Sequence, residues 1–111
     1  MLKLLGYHAT AVAGGEEALE AYLNANISGS PYDAVITDLT VQGGMGGREL
    51  IKELLVVDPQ VKVIVSSGYS NDPIMASYRE YGFSGVLVKP YKTTDMAKVL
   101  NTVLLERRQA P

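Results

Sequence analysis

The chain has 111 residues, 47% of them hydrophobic, which suits one small domain over residues 1–111 with a single packed core and little margin. It has no cysteine and one histidine, which excludes disulfides, thiolate catalysis, Cys-ligated zinc and multi-His metal sites and disfavours a Ser-His-Asp triad. A formal net charge of −2 offers no footprint for nucleic acid, and the sequence contains neither a signal peptide nor an apolar run near the about 18 residues of a membrane span, so a cytoplasmic domain is expected.

Taken in order, Met1 to Leu5 looks like the end of a helix, closed by Gly6. Tyr7–Val12 has strand composition with partial alternation, and His8 is expected on its surface. Gly14-Gly15 breaks the chain. Glu16 and Glu17 suit the first turn of a helix, where the dipole favours negative charge. Ala18, Leu19, Tyr22 and Leu23 give that helix an apolar stripe, which fades into the loop Ser28-Gly29-Ser30-Pro31.

The run Asp33-Ala34-Val35-Ile36-Thr37-Asp38 reads as a second strand, buried on both faces, and leads into the glycine-rich loop Gln42 to Gly47. Arg48–Val57 is predicted helical, with Leu50, Ile51, Leu54 and Leu55 inward and Pro59 as its stop. Val61–Ser66 is a β-branched third strand, followed by the loop Ser67-Gly68-Tyr69-Ser70-Asn71. Asp72-Pro73 starts a short helix that Gly82 ends. Ser84–Val88 is a fourth strand, followed by Lys89-Pro90. Thr93 or Thr94 is expected to cap a last helix, in which Met96, Val99, Leu100, Val103 and Leu104 form the cleanest helical stripe of the chain. Glu106-Arg107-Arg108-Gln109 is expected to be a solvated end.

Alternating strands and helices predict right-handed crossovers and a doubly wound parallel sheet of the α/β class. In such a sheet, ligands bind at the carboxyl ends of the strands. Asp38, Ser67 and Lys89 reach that edge from three different strands. A carboxylate, a hydroxyl and an ammonium together suit an anionic group built on the carboxylate, with Lys89 pairing the added charge and Ser67 donating a hydrogen bond. The chemistry implied is phosphorylation of Asp38 to an acyl phosphate, a known use of carboxylate nucleophiles. The blander roles are a loop-capping aspartate, a turn serine and a surface lysine.

These residues, in this order, resemble the receiver domain of two-component response regulators. Asp38 matches the phosphoacceptor, Ser67 the switch Ser/Thr, and Lys89-Pro90 the Lys-Pro pair whose peptide bond is usually cis. The wording around Asp38-Leu39-Thr40 and Ser66-Ser67-Gly68-Tyr69-Ser70 is similar to receivers carried by hybrid sensor histidine kinases. The resemblance implies a flavodoxin-like fold, phosphate supplied by a histidine kinase or phosphotransfer domain, Mg²⁺ as cofactor, and a signalling module, not an enzyme. If the family's signalling face is kept, Tyr78 or Tyr91 would lie on a partner surface.

The sequence departs from the pattern at several places. The family's first strand and the acidic pair at its end have no counterpart, so the expected sheet is N-terminally truncated, with four strands visible and the first missing. Glu16 and Glu17 are not expected to replace the pair, because they open the next helix elsewhere on the scaffold. Of the usual Mg²⁺ ligands only the Asp38 carboxylate and the Thr40 backbone carbonyl remain, so Mg²⁺ is expected to bind weakly or not at all. Val86 stands where the family has an aromatic, and Gln42 where it has a proline. The missing strand would leave a slot open to another chain, predicting a homodimer or strand-exchanged assembly. Two alternatives stand beside the phosphoacceptor. One is a degenerate receiver acting as an interaction module without phosphate. The other is a flavin binder or small enzyme of the same topology, against which the lone histidine and the missing dinucleotide fingerprint count.

Overall fold

The computed structural model describes residues 2–41, 43–69 and 71–106. Gln42, Ser70 and the predicted solvated end at Arg107 to Gln109 lie outside the described residues.

The sheet is organised around β2 (Val63–Ser67), in which every residue is buried. β2 pairs in parallel with β1 (Val35–Asp38) on one side and β3 (Gly85–Val88) on the other. The order is β1-β2-β3, with Val35 opposite Val63 and Ile64 opposite Gly85. Parallel neighbours need long crossovers. α2 (Gly47–Val57) carries the chain from β1 to β2. The short α3 (Pro73–Ala76) and the 3-10 turn Tyr78–Tyr81 carry it from β2 to β3.

Side chains alternate across a strand, so β2 feeds two separate cores. Val63 and Val65 point to the face covered by α1 (Gly15–Ile27), α2 and α3, where they join Tyr22, Leu50, Leu54, Ile74 and Phe83. Ile64 points to the other face, where α4 (Thr93–Leu105) packs Met96, Leu100 and Val103 beside Leu2 and Leu5. The stripe read in α4 is this buried face.

Local signals hold at most boundaries. Asp72 caps α3 by accepting from the Ile74 N–H at 2.9 Å, with Pro73 in the first turn. Gly6 and Gly82 close the two 3-10 turns with φ of 85° and 97°, which only glycine adopts without strain. The cap of α4 differs from expectation. Lys92 holds the N-cap position, Thr93 is already helical, and the Asp95 carboxylate accepts from the Lys92 N–H at 2.9 Å. That bond satisfies the N–H of the N-cap residue itself, the half of a capping box supplied from inside the helix, whereas a threonine cap would accept from an N–H of the first turn. The N-terminal helix end is only the 3-10 turn Lys3–Leu5.

The main correction is in the sheet. Among the described residues it has three strands, not the four expected, because Tyr7–Val12 forms no regular element and pairs with no strand. A strand exists by its ladder, and this segment has none. Its residues, His8 included, are exposed, and Ala9 and Ala11 offer little surface to bury. It is tied through the Tyr7 N–H, which donates to Leu2 O at 3.1 Å, and through the Tyr32 hydroxyl, which donates to Thr10 Oγ1 at 2.9 Å. β1 is therefore an edge strand among the described residues, and only half-buried, where β2 is fully buried. The N–H groups of Val35 and Leu39 bond β2-side carbonyls. By the alternation of a parallel ladder, the peptide groups of Ile36 and Asp38 face the outer edge.

Candidate functional site

Asp38, Ser66 and Leu87 form one cross-strand row. Side chains in such a row share a face of the sheet. Lys89 lies two residues past Leu87 and keeps that parity. Its long side chain crosses the end of β2 and brings Nζ to 2.8 Å from Asp38 Oδ1. Both side chains are about half exposed, at 47% and 50%. The hydrogen bond to Asp38 holds the Lys89 ammonium above the ordinary lysine range, so the cation persists beside the carboxylate. The Lys89–Pro90 peptide bond is cis, as the resemblance implies.

Ser67 also reaches this edge, but its hydroxyl does not meet Asp38. Its Oγ accepts from the Tyr69 N–H at 3.1 Å, the geometry of a serine turn. That leaves its O–H free to donate. Ser66 was not singled out from sequence. It is 2% exposed, and its Oγ has no hydrogen-bond partner among the described residues. Thr40 is exposed two residues beyond Asp38. Val86 is half-buried against the α1–α3 core. Tyr78 and Tyr91 are half-buried against opposite cores, while Tyr69 is 73% exposed.

The loop after Asp38 is tightly folded. The Gly47 N–H donates to Leu39 O at 3.1 Å. A Cβ at Gly46 would sit 2.7 Å from Leu39 O, and one at Gly47 would sit 2.8 Å from Asp38 O. The glycines are there because strand end and helix start touch. At the loop's far side the Gly15 N–H donates to Met45 O at 2.9 Å, and Glu16 Oε1 accepts from the Met45 N–H at 3.2 Å. Glu16 therefore borders the loop that follows Asp38, while opening α1 as expected.

Asp38, Ser67 and Lys89 stand at the carboxyl edge of the sheet, with Asp38 and Lys89 about half exposed. A cleft of about 440 Å³ opens beside the loop at Thr40, Arg48, Asp72 and Tyr81, and none of the three lines it. Among the described residues no three His, Cys, Asp or Glu side chains gather to hold a metal. The donors on hand for a dication are the Asp38 carboxylate, already paired to Lys89, and the Thr40 carbonyl.

The family model for the response regulator receiver domain matches residues 1–101. The chain belongs to this family. Receiver domains are signalling modules of two-component systems. The Thermotoga maritima chemotaxis protein CheY is 30% identical over 99 residues, covering 88% of this chain and 78% of CheY. The sensor kinase CckA of Brucella abortus is 31% identical over 103 residues, covering 93% of this chain but only 10% of the kinase. Among solved structures, the receiver of Brucella abortus NtrX superposes with a TM-score of 0.81 at 24% identity, covering 93% of this chain and 82% of that one. A sensor histidine kinase receiver from Pseudomonas aeruginosa, with magnesium coordinated in its active-site cleft, superposes with a TM-score of 0.78 at 22% identity, covering 93% and 81%. These likenesses establish the flavodoxin-like receiver fold, with its parallel sheet and flanking helices. No helix among the described residues is long and apolar enough to cross a membrane.

Proposed function

We propose that residues 1–111 form one cytoplasmic receiver domain whose phosphoacceptor is Asp38. The observation that carries this reading is the 2.8 Å pair between Lys89 Nζ and Asp38 Oδ1. An Asp38 oxygen attacks the phosphorus of a phosphohistidine on a histidine kinase or phosphotransfer domain. The P–N bond breaks and the imidazole leaves. Lys89 then pairs with the new phosphoryl charge, and the Ser67 O–H turns from its loop to donate to a phosphoryl oxygen.

The family's acidic pair has no counterpart in this sequence, so Mg²⁺ binds weakly and phosphorylation of residues 1–111 alone is impaired. Joining an upstream strand that ends in two acidic residues restores Mg²⁺-dependent labelling by acetyl phosphate. No labelling after that repair would sink the phosphoacceptor reading. The outer edge of β1, unpaired among the described residues, supports self-association by strand pairing or exchange. Light scattering tests this, and a monomer that melts cooperatively counts against it.

A second reading is a degenerate receiver that binds partners without phosphate. It is favoured by the Asp38 carboxylate being already paired and by the sparse metal donors. Partner binding that is unchanged by Asp38→Asn, in a chain that does not label, would replace the first reading with this one.

A further inference from the structure

We propose that Gly47 is a positioning residue for Asp38: its bare Cα lets the start of α2 press directly on the Asp38 peptide and so fixes where the carboxylate stands. The consequence for phosphorylation rests on the phosphoacceptor reading, whereas the geometry does not.

Thr37 and Asp38 point to opposite faces of the sheet. Thr37 is in register with Val65, on the face that α2 covers, and Asp38 shares its row with Ser66 and Leu87 on the other face. α2 therefore meets Asp38 from behind, at its backbone. Gly47, the first residue of α2, is buried there. A Cβ on Gly47 would lie 2.8 Å from Asp38 O, 2.9 Å from Thr37 Cγ2 and 3.4 Å from Asp38 C. The neighbouring Gly46 is close to other groups: its Cβ would meet Leu39 O, Thr40 Cα and Val41 N. Of the two, Gly47 is the glycine that backs the acceptor. Asp38 O also accepts from Thr37 Oγ1 at 3.1 Å, and the Gly47 N–H ties the helix start to Leu39 O at 3.1 Å.

A methyl group at Gly47 would force strand end and helix start apart by roughly half an ångström to reach an ordinary contact. The helix is the less able to move, because Leu50, Ile51 and Leu54 are at most 2% exposed in the core beneath it. β1 is half-buried, has a neighbour on one side only among the described residues, and ends at Asp38. The strand end gives way. Asp38 then shifts toward its own side-chain face, relative to the ends of β2 and β3 that carry Ser67 and Lys89. The attacking oxygen leaves the line to the phosphorus that those two groups orient, and a misplacement of this size costs about tenfold in rate.

The test separates position from packing. Gly47→Ala collides with two atoms, and Thr37→Ser removes one of them, the Cγ2 methyl, while keeping the hydroxyl that donates to Asp38 O. In the full chain, Gly47→Ala is expected to lower the urea midpoint, and adding Thr37→Ser is expected to recover part of the loss. Crystal structures of the parent and the double variant, superposed on β2 and β3, are expected to show the Asp38 Cα displaced by about half an ångström. Asp38 in place with α2 displaced instead would overturn the proposal.

In the chain joined to an upstream acidic strand, an Asp38 oxygen bonds the phosphorus of acetyl phosphate, the P–O bond to acetate breaks and acetate leaves. This labelling is expected to fall about tenfold in Gly47→Ala and in the double variant, and to stay within about twofold of the parent in Thr37→Ser. Labelling that recovers together with the urea midpoint would make Gly47 a packing residue only and overturn the proposal. A parent that does not label counts against the phosphoacceptor reading and leaves the displacement of Asp38 to decide the role of Gly47.

Discussion

Lys89 Nζ lies 2.8 Å from Asp38 Oδ1 although β1, which ends in Asp38, and β3, which ends one residue before Lys89, are separated by β2. The contact exists because both residues share one parity on the sheet and because lysine is long enough to cross a strand. With both side chains about half exposed, the pair contributes little to stability, about 0–1 kcal/mol for exposed ion pairs. Its consequence is chemical. Lys89→Met is expected to leave the urea midpoint nearly unchanged while lowering acetyl phosphate labelling of the repaired chain by about tenfold or more, as expected for loss of a charge-assisted contact to the phosphoryl group. A large loss of stability with intact labelling would reverse that assignment. Because the folded lysine titrates higher than usual, the pair's contribution is fully present below the ordinary value of 10.5 and is lost as pH rises through the folded one.

A second ionisable contact is structural. The Tyr22 hydroxyl donates to Asp58 Oδ2 at 2.7 Å and joins α1 to the end of α2. Burial first, and then the Asp58 carboxylate, push the phenol well above its ordinary value of 10.0. The fold favours the neutral phenol, so the contribution is present below pH 10.0 and falls as pH rises beyond it. Tyr22→Phe is expected to cost about 1 kcal/mol at neutral pH and to flatten the loss of stability above pH 10.0. Urea melts at neutral and alkaline pH read both effects. A variant with the parent's alkaline slope would assign that slope to other groups.

Ser66 gives the opposite expectation for a buried polar group. Its hydroxyl occupies the Asp38 row without a partner among the described residues. An unsatisfied buried hydroxyl costs stability, so Ser66→Ala is expected to be neutral or to stabilise the chain by up to about 1 kcal/mol. Destabilisation by more than that would mean the hydroxyl bonds a buried water in solution.

The sequence carried much of this design. Asp38 and Lys89 were legible because each follows an apolar run of strand length, and a parallel sheet brings strand ends to one edge. Ser67 was placed at the right edge, but a serine followed by Gly68 and Tyr69 can also make a local turn, and that is the bond it makes here. Tyr7–Val12 has the composition of a strand, yet composition cannot supply a neighbour to pair with. Thr93 and Thr94 looked like caps because hydroxyls usually are, but the N-cap is Lys92, whose own N–H is met by Asp95 from inside the helix. Glu16 was read only through its own helix. Its contact with Met45, 29 residues away, is tertiary and has no local signal. Ser66 gave no warning either, since β-strand alternation alone decides which of two adjacent buried serines shares the Asp38 row.

The central claim is that Asp38 carries the phosphoryl group, and its most direct test is to locate that group. The chain joined to an upstream strand ending in two acidic residues would be incubated with acetyl phosphate and Mg²⁺, digested, and read by mass spectrometry. The account predicts one phosphoryl group on the peptide containing Asp38, absent from Asp38→Asn. Phosphate on another residue, or labelling that survives Asp38→Asn, would contradict it.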